Sequence, residues 1–188
     1  MVKPGVRALG VAESFRDERS TLAGAVVRAD RVFDGLAFET CTVGGTDATD
    51  AVVSLVEGLD REDVRYVLIA GVALSWYNVL DLRTIAERID RPVLSITFEE
   101  SDGLEPAIEE EFSGEAREER LDVYREQPGR RRMLVNDHRL FYRPVGIGDG
   151  EARDVIRAFT PDGGRPEPLR VARIAARAAD ERFGCRNG

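Results

Sequence analysis

Lysine is almost missing from this chain: Lys3 is the only one, so positive charge rests on arginine. Histidine is equally scarce, with His138 alone, and the two cysteines, Cys41 and Cys185, lie far apart and form no CxxC pair. A tetrahedral zinc site needs four nitrogen or sulfur ligands, and this inventory offers no such set. Long apolar runs are also lacking. No segment reads as a membrane span and the first residues carry no apolar signal, so the expectation is a cytoplasmic protein with free thiols and no membrane partner. Low-complexity tracts, fixed-period repeats and linkers are absent too, and residues 1–188 read as one domain.

What the chain has in excess is acid. Asp and Glu number 35 against 27 Lys and Arg, a formal net charge of −8. An acidic surface nearly free of lysine suggests adaptation to a salty cytoplasm, where hydrated carboxylates and net charge preserve solubility. The same balance argues against bulk electrostatic attraction to nucleic acid. Any contact with DNA would rest on local patches, shape and directed hydrogen bonds.

Apolar periodicity sets out the elements. Val6 to Val11 reads as a buried strand and Leu22 to Val27 as a second, joined by the polar Arg16 to Arg19; a third strand spans Leu36 to Val43 after turn residues at Asp30 to Gly35. Thr46 or Asp47 can cap a helix reaching about Leu59, with Ala48, Val52, Leu55 and Val56 on one face. Val64 to Ile69 is the most apolar strand. A second amphipathic helix is expected over Asn78 to Ile89, followed by a strand at Pro92 to Phe98. Helices are expected over Pro106 to Phe112 and Glu115 to Gln127, then a hairpin from Met133 to Val145 turning at Asn136-Asp137. Two helices, Ala152 to Phe159 and Pro168 to Phe183, close the chain. Three antiparallel strands leading into strand, helix, strand imply an α/β fold with a mixed sheet, an antiparallel meander then a parallel βαβ unit, and flanking helices. The ribonuclease H-like architecture has this order, as do other α/β folds.

At several points the sequence resembles the endonuclease dU family, distant relatives of endonuclease V with a ribonuclease H-like fold. The resemblance rests on Val6-Arg7-Ala8-Leu9-Gly10-Val11, on Asp47-Ala48-Thr49, on Gly71 followed by Asn78-Val79-Leu80-Asp81, and on Pro166-Glu167-Pro168-Leu169-Arg170-Val171-Ala172. It implies metal-dependent cleavage of DNA near deoxyuridine, with carboxylates at converging strand ends holding Mg²⁺ or Mn²⁺. The family pattern places two adjacent aspartates after the first strand and one before the equivalent of Gly71. Here those positions hold Ala12, Glu13 and Ala70. The residual acidic set is then Glu13 and Asp47 as catalytic ligands, with Asp81 as a third candidate for the metal.

Each candidate also has a plainer reading. Glu13 can be simply solvated beyond its strand, and Asp47 can be an ordinary helix cap. Asn78 and Asp81 stand about a helical turn apart and can meet phosphate or a base edge, or Asn78 can cap the helix with Asp81 in its first turn. Trp76 and Tyr77 can stack on an unpaired base or pack at the turn. Arg170 and Arg173, with Arg177, recur at helical spacing opposite Val171, Ile174, Ala175 and Ala178, and can grip a DNA backbone or pair with Asp180 and Glu181. Arg130-Arg131-Arg132 forms a second basic cluster, and His138 reads as structural. Two functions follow: an endonuclease acting on uracil-containing DNA, or a catalytically impaired DNA-binding or repair-associated protein on the same scaffold. A metabolic or protein-interaction role is a third.

Overall fold

The computed structural model describes residues 1–183. The chain opens with β1 (Arg7–Arg16), β2 (Arg19–Arg28) and β3 (Phe33–Thr42), an antiparallel meander. The first two strands run much further than their apolar centres suggest, because Asp17, in the left-handed region at φ 54°, turns the chain between Arg16 and Arg19. After α1 (Ala48–Leu59), β4 (Val64–Ala70) pairs with β1 in parallel. A short hairpin of β5 (Ala73–Leu74) and β6 (Asn78–Val79) precedes α2 (Leu82–Ile89) and β7 (Val93–Thr97), which lies parallel to β4. Next come α3 (Glu105–Glu111) and α4 (Gly114–Arg125), then the antiparallel pair β8 (Arg131–Val135) and β9 (His138–Val145). Its turn uses Asn136 and Asp137 at φ 45° and 63°, the geometry that tight hairpins favour. The described chain ends with α5 (Asp149–Phe159) and α6 (Glu167–Phe183).

One sheet of seven strands results, in the order β3-β2-β1-β4-β7-β9-β8. The mixed sheet with helices on both faces is the ribonuclease H-like α/β architecture expected from the element order. Strand alternation divides the core. Leu9, Val11, Val67 and Ile69 pack towards α1 and α2, while Ala8, Leu68, Leu94 and Tyr142 pack towards α5 and the start of α6.

Small residues let α6 lie close on the sheet. A Cβ at Gly10 would stand 2.2 Å from the backbone carbon of Pro168, so only glycine admits the helix entrance here. Two residues on, Ala12 packs with Ala25 and Ala172. The apolar stripe of α6 is Leu169, Ala172, Ala176 and Ala179, whereas Ile174, expected inward, is exposed.

The expected helix over Asn78 to Ile89 begins four residues late. Asn78 and Val79 are strand residues, and the helix starts only after Asp81, whose carboxylate accepts from the N–H groups of Arg83 and Thr84. The cap is Asp81 and not Asn78, because the Asn78 side chain is buried and committed elsewhere. In α4, Leu121 and Tyr124 enter the core and Arg120 is buried.

Candidate functional site

Parallel strands end together, so β1, β4 and β7 carry their C-terminal residues to one edge of the sheet. Val11 stands opposite Ile69 and Ala70 opposite Ile96, which brings Ala12, Ala70 and the Thr97-Phe98 segment to that edge. Gly71 turns the chain out of β4 at φ 106°, its carbonyl accepting from the Ser95 hydroxyl at 2.8 Å. Ala12 is only 2% exposed and its neighbours are methyl groups, while Ala70 is half-buried.

Glu13 sits just beyond Ala12. One of its oxygens accepts from the Ser75 N–H at 2.7 Å and the other from the Ser20 hydroxyl at 2.6 Å. Asp47 does not cap α1 with its side chain. Its carboxylate turns back to β3, accepting from the N–H of Thr42 at 3.1 Å, the hydroxyl of Thr42 at 2.9 Å and the Asn78 amide at 2.8 Å. Asn78 is fully buried and acts as a hub: its amide also donates to the Thr42 carbonyl at 2.9 Å, and its oxygen accepts from the Ala48 N–H at 3.0 Å. The Ala48 N–H, one of the first-turn donors that has no partner within the helix, is thus supplied with an acceptor from β6. Buried Arg120 fastens the same loop by donating to the carbonyls of Gly44 and Gly45.

Electrostatics follow from these contacts. Burial works to raise the Asp47 pKa, but the hydrogen bonds from Asn78 and Thr42 outweigh it and hold the carboxyl below its ordinary range. Cys41 is buried, and its thiol is pushed up to about 11, first by burial and then by the negative charge of Glu13 and Asp47, against hydrogen bonds from Ser75 and Ser20. It is an inert thiol; Cys185 lies outside the described residues. Asp81 is taken up by its cap and by the Thr84 hydroxyl at 2.7 Å.

A hard divalent cation needs several carboxylate or carbonyl oxygens aimed at one point. Both oxygens of Glu13 and of Asp47 serve as internal acceptors, Asp81 serves α2, and Ala12 and Ala70 contribute methyl groups. Among the described residues no three His, Cys, Asp or Glu side chains gather as a metal site would require. The donor set does not fit a bound Mg²⁺ or Mn²⁺.

Beside Ala70 the same edge opens into a cavity of about 580 Å³, lined among others by Phe98, Tyr124, Arg130, Arg143, Arg165 and Arg173. Of the arginines expected to meet nucleic acid, Arg173 reaches this cavity, whereas Arg170 forms an ion pair with Glu167 at 2.5 Å. Asp180 leaves the arginine stripe altogether, buried against β1 and accepting from Ser14 at 3.0 Å and Arg16 at 3.2 Å. Sequence reading passed over Arg165 and Arg143. The one available signal was Gly163-Gly164-Arg165-Pro166, a tight loop in which a Cβ at Gly164 would stand 2.4 Å from that of His138. Trp76 and Tyr77 both adopt left-handed backbone, at φ 56° and 57°, in the turn between β5 and β6. Such geometry is costly for aromatic residues. Tyr77 packs edge-on against Phe112, while Trp76 is 52% exposed beside Glu13 and Phe15.

Comparison with known proteins places these observations. The family described as Endonuclease dU matches residues 4–180. A relative from Pyrobaculum calidifontis, named UPF0215 protein, is 33% identical over 177 residues, covering 92% of this chain and 96% of the relative. Among solved structures, a protein of unknown function from Archaeoglobus fulgidus superposes with a TM-score of 0.80 at 25% identity, covering 92% of this chain and 96% of the other. Endonuclease V of Ciona intestinalis, solved with inosine-containing DNA, gives a TM-score of 0.64 at 9% identity over 94% of this chain and 87% of its own, a likeness of fold.

Proposed function

Since this chain belongs to the endonuclease dU family, with a fold it shares with nucleases, we propose that it is a DNA-binding, repair-associated member that has kept the scaffold and lost metal-dependent strand cleavage. One observation carries this reading. The carboxylates left at the sheet edge are engaged in internal hydrogen bonds, and Ala12 is sealed under α6 where the family resemblance implies an aspartate. Binding needs no such ligands. Arginines gathered in the cavity beside the sheet edge and an exposed Trp76 in a strained turn suit contacts to phosphate and to an unpaired base.

A second reading keeps the deoxyuridine-directed endonuclease using Mg²⁺ or Mn²⁺. It is favoured by the convergence of Glu13 and Asp47 on one end of β2 and β3: Glu13 accepts from Ser20, which stands opposite Cys41, and Asp47 accepts from the next residue, Thr42. One assay separates the two. Purified protein in molar potassium chloride is given uracil-containing and undamaged DNA, with and without the divalent ions, and both nicking and binding are followed. Binding without nicking is the expected result. Nicking that disappears in Glu13→Gln and Asp47→Asn establishes the endonuclease instead, and absence of both activities removes the nucleic-acid role.

A further inference from the structure

We propose that the cavity beside Ala70 is a metal-free receptor for a phosphate ester, in which arginines hold the anion directly at the sheet edge where a metal-dependent nuclease gathers carboxylates. The proposal rests on the DNA-binding reading and gives it a site.

The cavity runs against the character of the molecule. In a chain of net charge −8, four guanidinium groups line one recess: Arg130, Arg143, Arg165 and Arg173. The carboxylates that share it, Glu99 and Asp102, are exposed residues of the loop at its mouth. Arginines elsewhere on this surface are repeatedly matched with acids, as Arg125 is with Glu105 and Arg131 with Asp149. Among the described residues Arg165 and Arg173 have no carboxylate within ion-pair distance, and Arg130 and Arg143 spend their donors on neutral oxygens. Arg130 donates to Thr97 at 3.2 Å and to the Ser101 carbonyl at 2.9 Å, while Arg143 donates to the Pro128 carbonyl at 2.5 Å and to Tyr124 at 3.2 Å.

These contacts preorganise the cations without neutralising them. Arg165 lies over the ring of Phe98 at 3.9 Å and Arg130 over the ring of Phe141 at 3.8 Å, so both planar groups are held by aromatic faces. Burial, and then the charges of Arg173 and Arg177, push the Arg165 pKa down; burial and Arg143 do the same to Arg130. Cations crowded in this way gain when an anion enters between them. Tyr124 adds a donor: its oxygen accepts from the Leu104 N–H and from Arg143, each at 3.2 Å, which leaves its own proton to give.

Size and lining narrow the ligand. About 580 Å³ is too large for inorganic phosphate alone and falls in the range of small-molecule sites. Val72, Ile96, Phe98 and Leu104 supply apolar wall for a sugar and base next to the anion. Arginine, planar and fork-shaped, is the side chain suited to paired hydrogen bonds with phosphate oxygens. The chemistry is that of a nucleotide unit, either free or within a single strand.

The test uses the full chain in buffer containing EDTA. Binding of a fluorescent single-stranded oligodeoxynucleotide containing uracil is followed by anisotropy, with dUMP and inorganic phosphate as competitors. The expected result is binding that EDTA leaves unchanged, competition by dUMP, and a loss of about tenfold or more in Arg165→Ala and Arg173→Ala. Arg165→Lys should recover part of that loss. Ala70→Asp, which adds a negative charge to the wall, should weaken binding as well, and Arg88→Ala, remote on α2, should not. Thermal unfolding checks that each variant is folded, and Arg165→Lys and Ala70→Asp carry the test should Arg165→Ala fail it. Oligonucleotide binding with wild-type affinity in all the cavity variants overturns the site while sparing the DNA-binding reading. Binding of dUMP, measured directly by titration calorimetry, without binding of DNA supports the cavity and overturns that reading, and binding of neither overturns both.

Discussion

Placing an aspartate at position 12 tests how completely the scaffold closes over the position where the family resemblance implies an acidic ligand. Ala12 is 2% exposed and its neighbours are Ala25, Ala172 and the partly buried Ala70 and Val171. A carboxylate introduced there meets methyl groups. Keeping it protonated at neutral pH costs about 1.4 kcal/mol for each of the roughly three pH units above its ordinary pKa, or about 4 kcal/mol. Displacing α6 to make room adds about 1–3 kcal/mol. The sum, about 5–7 kcal/mol, is comparable with the whole stability of many domains, about 5–15 kcal/mol. Urea unfolding of wild type and Ala12→Asp, each with EDTA and with 10 mM Mg²⁺, measures it. The expected outcome is a variant that is unfolded or has a greatly lowered midpoint, unchanged by Mg²⁺. A stability within about 1 kcal/mol of wild type, or a midpoint that Mg²⁺ raises, would mean that the edge accommodates a carboxylate and would refute the closed-site reasoning.

The other predictions concern the network behind that edge and the charge of the whole. Asn78→Ala leaves the Ala48 N–H, the Thr42 carbonyl and the Asp47 carboxylate each short of a partner, and should cost about 3–5 kcal/mol by chemical denaturation; a loss below about 1 kcal/mol would refute its role as hub. Acid should destabilise the protein through carboxyls whose folded pKa lies below the ordinary value: Asp34 held down first by Arg7, Asp63 by Arg61, and Asp149 by Tyr142 and then Arg131 and Arg153. Their unfolded forms bind protons first, so the stability they contribute is present above about pH 4 and is lost as pH falls through the folded values. A flat midpoint between pH 6 and pH 3 contradicts this. We also propose that the acid excess is a salt adaptation, so that added potassium chloride raises the unfolding midpoint by relieving like-charge repulsion; a maximum in dilute buffer would count against it.

Much of the architecture was legible in the residues themselves. Alternating or continuous apolar runs located the strands, and Asn136-Asp137 marked a turn, because each of these is a demand made by neighbours in the chain. Asn78 was misjudged for the converse reason. Its partners, Thr42, Asp47 and Ala48, lie about thirty residues away, and no local pattern distinguishes a capping asparagine from a buried hub.

The arginine cavity was beyond sequence reading altogether. Arg130, Arg143, Arg165 and Arg173 come from a loop, a strand, another loop and a helix, and they share a recess because parallel strands end at one edge and α6 is drawn onto the sheet by Gly10 and Ala12. Sequence alone determined which segments are buried and which acids are absent, since hydrophobic periodicity and residue identity are local properties. Tertiary structure alone decided which charges face one another, since like cations are brought together only when packing energy elsewhere holds them there.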